Sequence, residues 1–381
     1  MQEIADFIHK LYNTKTSISL HEPRFLGNEK RYLNECIDST FVSSVGKFVT
    51  RFEEELADYV GSKYAIACVN GTSALHAALK VAGVVQGDEV LTQALSFIAT
   101  SNAISYCGAE PLFLDVDKTT LGLSVKALQA FLEEYCVVQN GQCKNKKSGK
   151  IIKACVPMHT FGHPCEIDTI ASLCKAWHIT LIEDSAESLG SFYKKRHTGT
   201  FGKMGVFSFN GNKIITSGGG GAIVTDDETL AKHLKHITTT AKVAHSWEYI
   251  HDEIGFNYRM PNINAALLVA QMEQLERILA DKRALAQEYK KFFENFDDIT
   301  FIQEPQEAQS NYWLNAISFE NQKQRDAFLK FSNKNGVMSR PVWKILSELT
   351  MFCGCYNDGL KNSKELQEKI VNIPSSTRIN Q

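Results

Sequence analysis

The chain has 381 residues, 44% of them hydrophobic and 22% charged, a balance typical of globular proteins and a length sufficient for two cores. Its net charge of −2, with both signs interspersed, leaves no basic footprint for nucleic acid. No apolar run reaches the ~18 residues of a membrane span, so no membrane partner is expected. The opening Met1-Gln-Glu-Ile-Ala-Asp6 carries acids and lacks a signal-peptide pattern, which points to the cytoplasm. Of ten cysteines, Cys68, Cys107, Cys155 and Cys174 sit in apolar or helical contexts, and Cys353 and Cys355 are too close for the usual zinc pairs. Cys136 and Cys143 flank a loop without a matching Cys/His pair, so reduced thiols and no metal site are expected.

Taken in order, Ile4, Phe7, Ile8 and Leu11 recur at helical spacing and predict a short helix within an N-terminal appendage, residues 1–20. An extended loop follows at Phe41-Val-Ser43-Ser44-Val-Gly46, with two hydroxyls between valines. From 47 to 117 helix and strand alternate: helix 47–60, strand 64–69, helix 72–81, strand 89–93, helix 97–106 and strand 111–115. That rhythm predicts an α/β fold around a largely parallel sheet. Asn70-Gly71-Thr72-Ser73 opens a helix with small and hydroxyl residues, a pattern that serves either phosphate binding or ordinary capping. Residues 137–150, with four lysines, read as a solvated hairpin or loop. A strand over 151–158 leads into His159 and His163 and then a helix over 167–177.

Thr180-Leu-Ile-Glu-Asp184 is a short buried strand ending in acids, with Glu187 just beyond. A carboxylate at the carboxyl end of such a strand points into the crevice where α/β sheets bind ligands. The run Val206 to Phe209 is apolar and β-prone, and Ile214 to Thr216 is a second β-prone trio. Lys213 lies between them, ahead of four consecutive glycines, Gly218 to Gly221. A lysine held between strands, with backbone able to approach a ligand closely, is placed against a planar ligand rather than in a linker. Further on, the pattern predicts a strand 222–225, a helix 227–236, and a pre-helix turn carrying Asn257 and Arg259. An unbroken helix over 263–293, strands near Thr300 and Asn315 and a helix 322–335 complete the expectation. Arg340 and Trp343 suit either phosphate and base contacts or a surface ion pair with a packed indole.

Lysine for a Schiff base and aspartate for a pyridinium nitrogen are the groups that pyridoxal 5′-phosphate (PLP) needs, so Lys213 and Asp184 are the expected catalytic pair. With Phe207-Ser-Phe-Asn-Gly-Asn-Lys213-Ile-Ile-Thr216 and the glycine run, these pieces resemble the DegT/DnrJ/EryC1/StrS family of PLP-dependent sugar aminotransferases. The likeness runs from about His21 to near the C-terminus, and His21-Glu-Pro-Arg-Phe-Leu-Gly-Asn-Glu29 is similar to the branch acting in legionaminic acid biosynthesis. It implies PLP transferase fold type I, aspartate aminotransferase-like, with a large domain 21–260 and a smaller α+β domain 261–381.

By resemblance, Gly71, Thr72, Ser73, Phe97, His159, Glu187, Ser208 and Asn210 contact the cofactor, and Phe97 stacks on its ring. Ser43 and Ser44 lie near the sugar site by the same resemblance, and Asn257 and Arg259 reach the neighbour's cofactor phosphate in a homodimer with shared active sites; Arg340 and Trp343 are expected at the sugar nucleotide from their own chemistry. The implied substrates are L-glutamate and a UDP- or GDP-linked 4-keto-6-deoxy-N-acetylhexosamine. A non-catalytic PLP-binding or sensory protein is the alternative, and Lys213, Asp184 and the 71–73 turn together argue against it. No G-x-G-x-x-G stands between a strand and a helix, so a Rossmann dehydrogenase has no support.

Overall fold

Seven strands form the main sheet of the computed structural model, which describes residues 1–379. Their order is Tyr64–Cys68, Gly221–Thr225, Met204–Ser208, Thr180–Asp184, Ile152–Val156, Glu89–Gln93 and Glu110–Leu114. All neighbours from Met204–Ser208 to Glu110–Leu114 pair in parallel, and Gly221–Thr225 alone runs antiparallel to both of its neighbours. Alternation along each strand feeds two cores. Val206 and Ile223 face helices Gly71–Val81, Ala99–Tyr106 and Glu228–Thr238, while Phe207, Ala222 and Val224 face Lys47–Val60 and Asn262–Met272. Strand order and helical crossovers leave the carboxyl ends of the parallel strands along one edge, where Asp184 and Ser208 stand.

Polar side chains start the helices. Asn70, Ser124, Asp227 and Asn321 each accept backbone N–H bonds at a first turn, and Gly61 closes Lys47–Val60 in a left-handed conformation. A second, antiparallel sheet takes the order Ile299–Phe301, Asn315–Phe319, Ile370–Ile373, Arg340–Pro341. Helix Leu275–Phe293 covers it, and the N-terminal helix Gln2–Leu11 joins that core through Ile4 and Ile8, with Phe7 stacked on Phe292 at 3.8 Å.

Three local expectations are corrected. The single helix expected over 263–293 is two, Asn262–Met272 and Leu275–Phe293. No proline or glycine marks the break; Glu273 is instead drawn to Tyr32 Oη (2.5 Å), Asn28 Nδ2 (2.6 Å) and Arg51 Nη2 (3.0 Å). Each half then serves a different core. The trio Ile214–Thr216 forms no strand; Ile214 and Ile215 are buried in a turn, so their side chains fill the core without joining a ladder. Helix Glu29–Asp38, absent from the sequence reading, packs Tyr32 and Cys36 against the core containing Asn262–Met272. The basic insertion is a hairpin, Cys136–Gln139 with Gln142–Asn145, turning through Asn140 and Gly141 at positive φ. All ten cysteines are free, and no helix among the described residues is long and apolar enough to cross a membrane.

Phe52 is fully buried in an edge-to-face contact with Phe209 at 5.3 Å, where it seats the lysine-bearing loop on helix Lys47–Val60. Phe52→Ala is expected to cost about 3–5 kcal/mol, as for other large-to-small core changes, read from the urea midpoint at unchanged m-value.

Candidate active site

A cavity of about 630 Å³ opens at the carboxyl edge of the main sheet and is closed on its far side by the second sheet. Of the residues expected at the site, Gly71, Thr72, Phe97, Asp184, Glu187, Ser208, Asn210, Lys213, Arg340 and Trp343 all line it. Lys213 stands on the loop between strands Met204–Ser208 and Gly221–Thr225. Two glycines of the run shape that loop. Gly218 turns it at φ +79°, and a Cβ on Gly221 would lie 2.4 Å from the carbonyl carbon of Asn70. The missing side chain therefore lets the lysine loop lie against the turn that opens helix Gly71–Val81.

The Lys213 side chain is 12% exposed, with Nζ 3.5 Å from Glu187 Oε1 and 3.9 Å from the centre of the Trp313 ring. Asp184 Oδ2 accepts from Thr100 Oγ1 at 2.6 Å and Oδ1 from the Ala186 N–H at 3.2 Å. Burial pushes the Asp184 carboxyl up, against those hydrogen bonds and the Lys213 charge. Burial also pushes Glu187 up to about 7, opposed by Lys213 and by the Phe161 N–H, which donates to Oε2 at 2.9 Å. Two carboxylates thus share one lysine in a dry place, and a further cation beside Asp184 would be strongly favoured.

Other expected residues lie elsewhere. Ser73 gives its N–H to Asn70 Oδ1 at 2.8 Å within the cap and is not in the cavity wall. His159 is fully buried beneath the site. Its Nδ1 accepts the Cys165 N–H at 3.1 Å, so the ring proton sits on Nε2 and is donated to Glu183 Oε2 at 3.1 Å. Glu183 and Asp184 are successive strand residues on opposite faces, which turns His159 away from the cavity. His163 is buried with neither ring nitrogen partnered, edge-on to Tyr312 at 5.3 Å; burial lowers it to about 4 and keeps it neutral.

Ser43 and Ser44 also lie outside the wall, on a loop pinned by its backbone: Ser43 O accepts the Asn262 N–H at 2.6 Å. Asn257 is exposed beside Thr239, and Arg259 bridges to Cys68 at the sheet edge with its Nε buried and unpartnered. Neither reaches the cavity of its own chain.

Sequence reasoning missed Trp313, Thr100, Met158, Lys344 and Asn372, of which all but Thr100 line the cavity and Thr100 holds Asp184. Trp313 is the most consequential. Its indole Nε1 donates to Asn212 O at 2.6 Å and its face covers Lys213. The only sequence signal is Asn-Tyr-Trp ahead of a strand, indistinguishable from a core aromatic.

The residues present fit PLP. Lys213 supplies the amine and Asp184 an under-compensated carboxylate, while the N-terminal turn of helix Gly71–Val81 opens on the cavity as an anion site. Because Glu187 is held above its ordinary 4.5, its protonation lends stability that is complete below about pH 4.5 and is lost as pH rises through about 7. Glu187→Gln should flatten this part of the pH dependence in cofactor-free protein, by roughly 2–3 kcal/mol across that window. Urea midpoints near pH 4.5, 6 and 8 read the difference, and parallel profiles for the two proteins would refute it.

The sequence profile of the DegT/DnrJ/EryC1/StrS aminotransferase family matches residues 25–381. The GDP-perosamine synthase of Escherichia coli O157:H7 is 36% identical over 359 residues, covering 94% of this chain and 93% of that protein. The GDP-perosamine synthase of Caulobacter vibrioides is 34% identical over 363 residues, with coverage of 94% and 93%. A solved DegT DnrJ EryC1 StrS aminotransferase from Brucella abortus superimposes with a TM-score of 0.82 at 26% identity, covering 93% of this chain and 91% of that one. The profile takes in the lysine loop, both carboxylates and the cavity wall contributed by the second sheet. The chain therefore belongs to the DegT/DnrJ/EryC1/StrS aminotransferase family and is a PLP-dependent transaminase.

Proposed function

We propose that this transaminase moves an amino group from L-glutamate to C4 of a nucleotide-linked 4-keto-6-deoxy sugar. The observation that carries the reading is the Lys213 amine within a cavity of about 630 Å³ whose other wall bears Arg340, Trp343 and Lys344. That volume suits a sugar nucleotide better than an amino acid alone. When bound, PLP would supply electron withdrawal from the carbon that carries the amino group, and Lys213 would be the residue that holds it. Lys213 would take the proton from the amino-bearing carbon of the donor and, in the second half-reaction, deliver one to C4 of the sugar. Asp184 would offer its charge to the ring nitrogen, Glu187 would orient the lysine, and the buried Trp313 would keep water from it. Arg340 and Lys344 offer charge to the diphosphate, and Trp343 offers a face to the base. Donor and acceptor would share one cavity in turn, giving ping-pong kinetics.

The finer substrate reading is a 2-acetamido sugar on the legionaminic route, supported by residues 21–29 and 207–221; the named relatives are GDP-perosamine synthases. A homodimer with shared sites belongs to the same proposal. Trp247, Tyr249 and Ile254 are 79%, 81% and 87% exposed on the segment leading to Asn257 and Arg259, apolar surface that a second copy would cover. The free thiols suit a reducing, cytoplasmic setting.

Incubation with PLP, glutamate and UDP- or GDP-linked keto sugars, with and without the acetamido group, tests the reaction by mass spectrometry. Nitrogen gain is expected; loss of a hydroxyl without it would sink the reaction type, and equal rates without the acetamido group would remove only the legionaminic reading. Lys213→Ala should lose the visible absorbance of bound cofactor and turnover on the order of 10⁴-fold or more, with the fold intact by circular dichroism. Mixing Lys213→Ala subunits with an Asn257→Ala, Arg259→Ala double variant should restore part of the activity, since one hybrid site is complete. Absence of recovery after demonstrated subunit exchange would refute shared sites.

A further inference from the structure

Lys282 on helix Leu275–Phe293 is fully buried, and burial lowers it to about 7. Among the described residues no carboxylate pairs with it. The neighbouring Asp281 carboxylate is taken by Thr377 Oγ1 (2.8 Å), the Arg378 N–H (2.7 Å) and Arg378 Nη2 (3.3 Å). Lys282 Nζ donates instead to two backbone carbonyls, Trp313 O at 3.0 Å and Ser375 O. A buried lysine spent on two carbonyls is a costly clamp, and what it clamps is unusual.

Trp313 follows Tyr312, a non-glycine residue at φ +47°. A turn of that kind persists only where its surroundings over-determine it. Here the Trp313 N–H is held by Asn311 Oδ1 at 2.8 Å, its carbonyl by Lys282 and its indole Nε1 by Asn212 O at 2.6 Å. Asn212 is the residue before Lys213, and the indole face so fixed lies 3.9 Å from Lys213 Nζ. Resting on the proposed role of Lys213, we propose that Lys282 is a positioning residue: by holding the strained Trp313 turn it seats the indole against the Lys213 amine and sets how readily that amine gives up its proton. The charged group beside it is Asp281 on its own helix; His21 on the N-terminal segment feels both Lys282 and Lys213, and Glu187 and Asp184 face Lys213 itself.

The test compares wild type, Lys282→Met, Trp313→Leu and the double variant by two readouts. In cofactor-free protein, Lys282→Met should red-shift tryptophan emission and raise acrylamide quenching, with no such change in the Trp313→Leu background. In the loaded enzyme, the pH midpoint of the absorbance of lysine-bound PLP should fall by about half a unit in Lys282→Met, and not fall further in the double variant. Mere removal of a nearby positive charge would instead raise that midpoint in both backgrounds, and this result would overturn the proposal. So would a lowered melting temperature with unchanged emission and midpoint. Should Lys282→Met fail to fold, Trp313→Leu alone, which removes the indole and leaves Lys282 in place, should lower the midpoint by the same amount, and no fall there would overturn the proposal. Absence of the absorbance from wild type would refute the role of Lys213 itself, whereas the cofactor-free fluorescence still decides whether Lys282 seats Trp313.

Discussion

The structure depends on one arrangement of charge: a lysine ammonium and two carboxylates brought into a crevice with little water to solvate them. Asp184 and Glu187 are both nearly fully buried; Lys213 pairs with Glu187, and its charge also acts on Asp184. Burying charge is tolerable only when hydrogen bonds and counter-charges are supplied in fixed geometry. Much of the surrounding backbone is bent to supply them. Phe161, at φ +58°, directs its N–H to Glu187, and Asn311 binds the carbonyls of Glu187 and Leu189 at 2.8 Å each. Strain in the 161 and 312 turns is thus placed where it orients charged groups.

The cavity belongs to two cores at once. The edge of the main sheet carries Asp184, Ser208 and the lysine loop, while the second sheet and its approach contribute Trp313, Arg340 and Asn372. A site built across such a junction can hold its cofactor groups rigidly on the large sheet while the substrate-facing wall is varied on the other.

Particular residues show where reading the chain worked and where it stopped. The parallel sheet was legible because alternating β-prone runs and capped helices obey local rules, as at Asn70 and Asp227. That Lys213 and Asp184 would meet at one cavity was legible because a strand end or a glycine run is a local signature of backbone geometry. The break at Glu273 was not, since it follows from Tyr32, Asn28 and Arg51, more than 200 residues away. His159 shows the opposite failing: its position in the chain placed it next to the site, but strand parity turned its partner Glu183 to the other face.

By itself the sequence determined the alternation of elements and singled out Lys213 and Asp184, which the fold brings to one cavity, because each rests on local conformational preference or on intrinsic reactivity. Only the tertiary structure decided that Trp313 covers Lys213, that Lys282 holds Trp313 from behind, and that Asn257 and Arg259 stand outside their own chain's cavity. Those placements arise from packing between segments distant along the chain, where burial and unpaired polar groups choose among partners that no local pattern distinguishes.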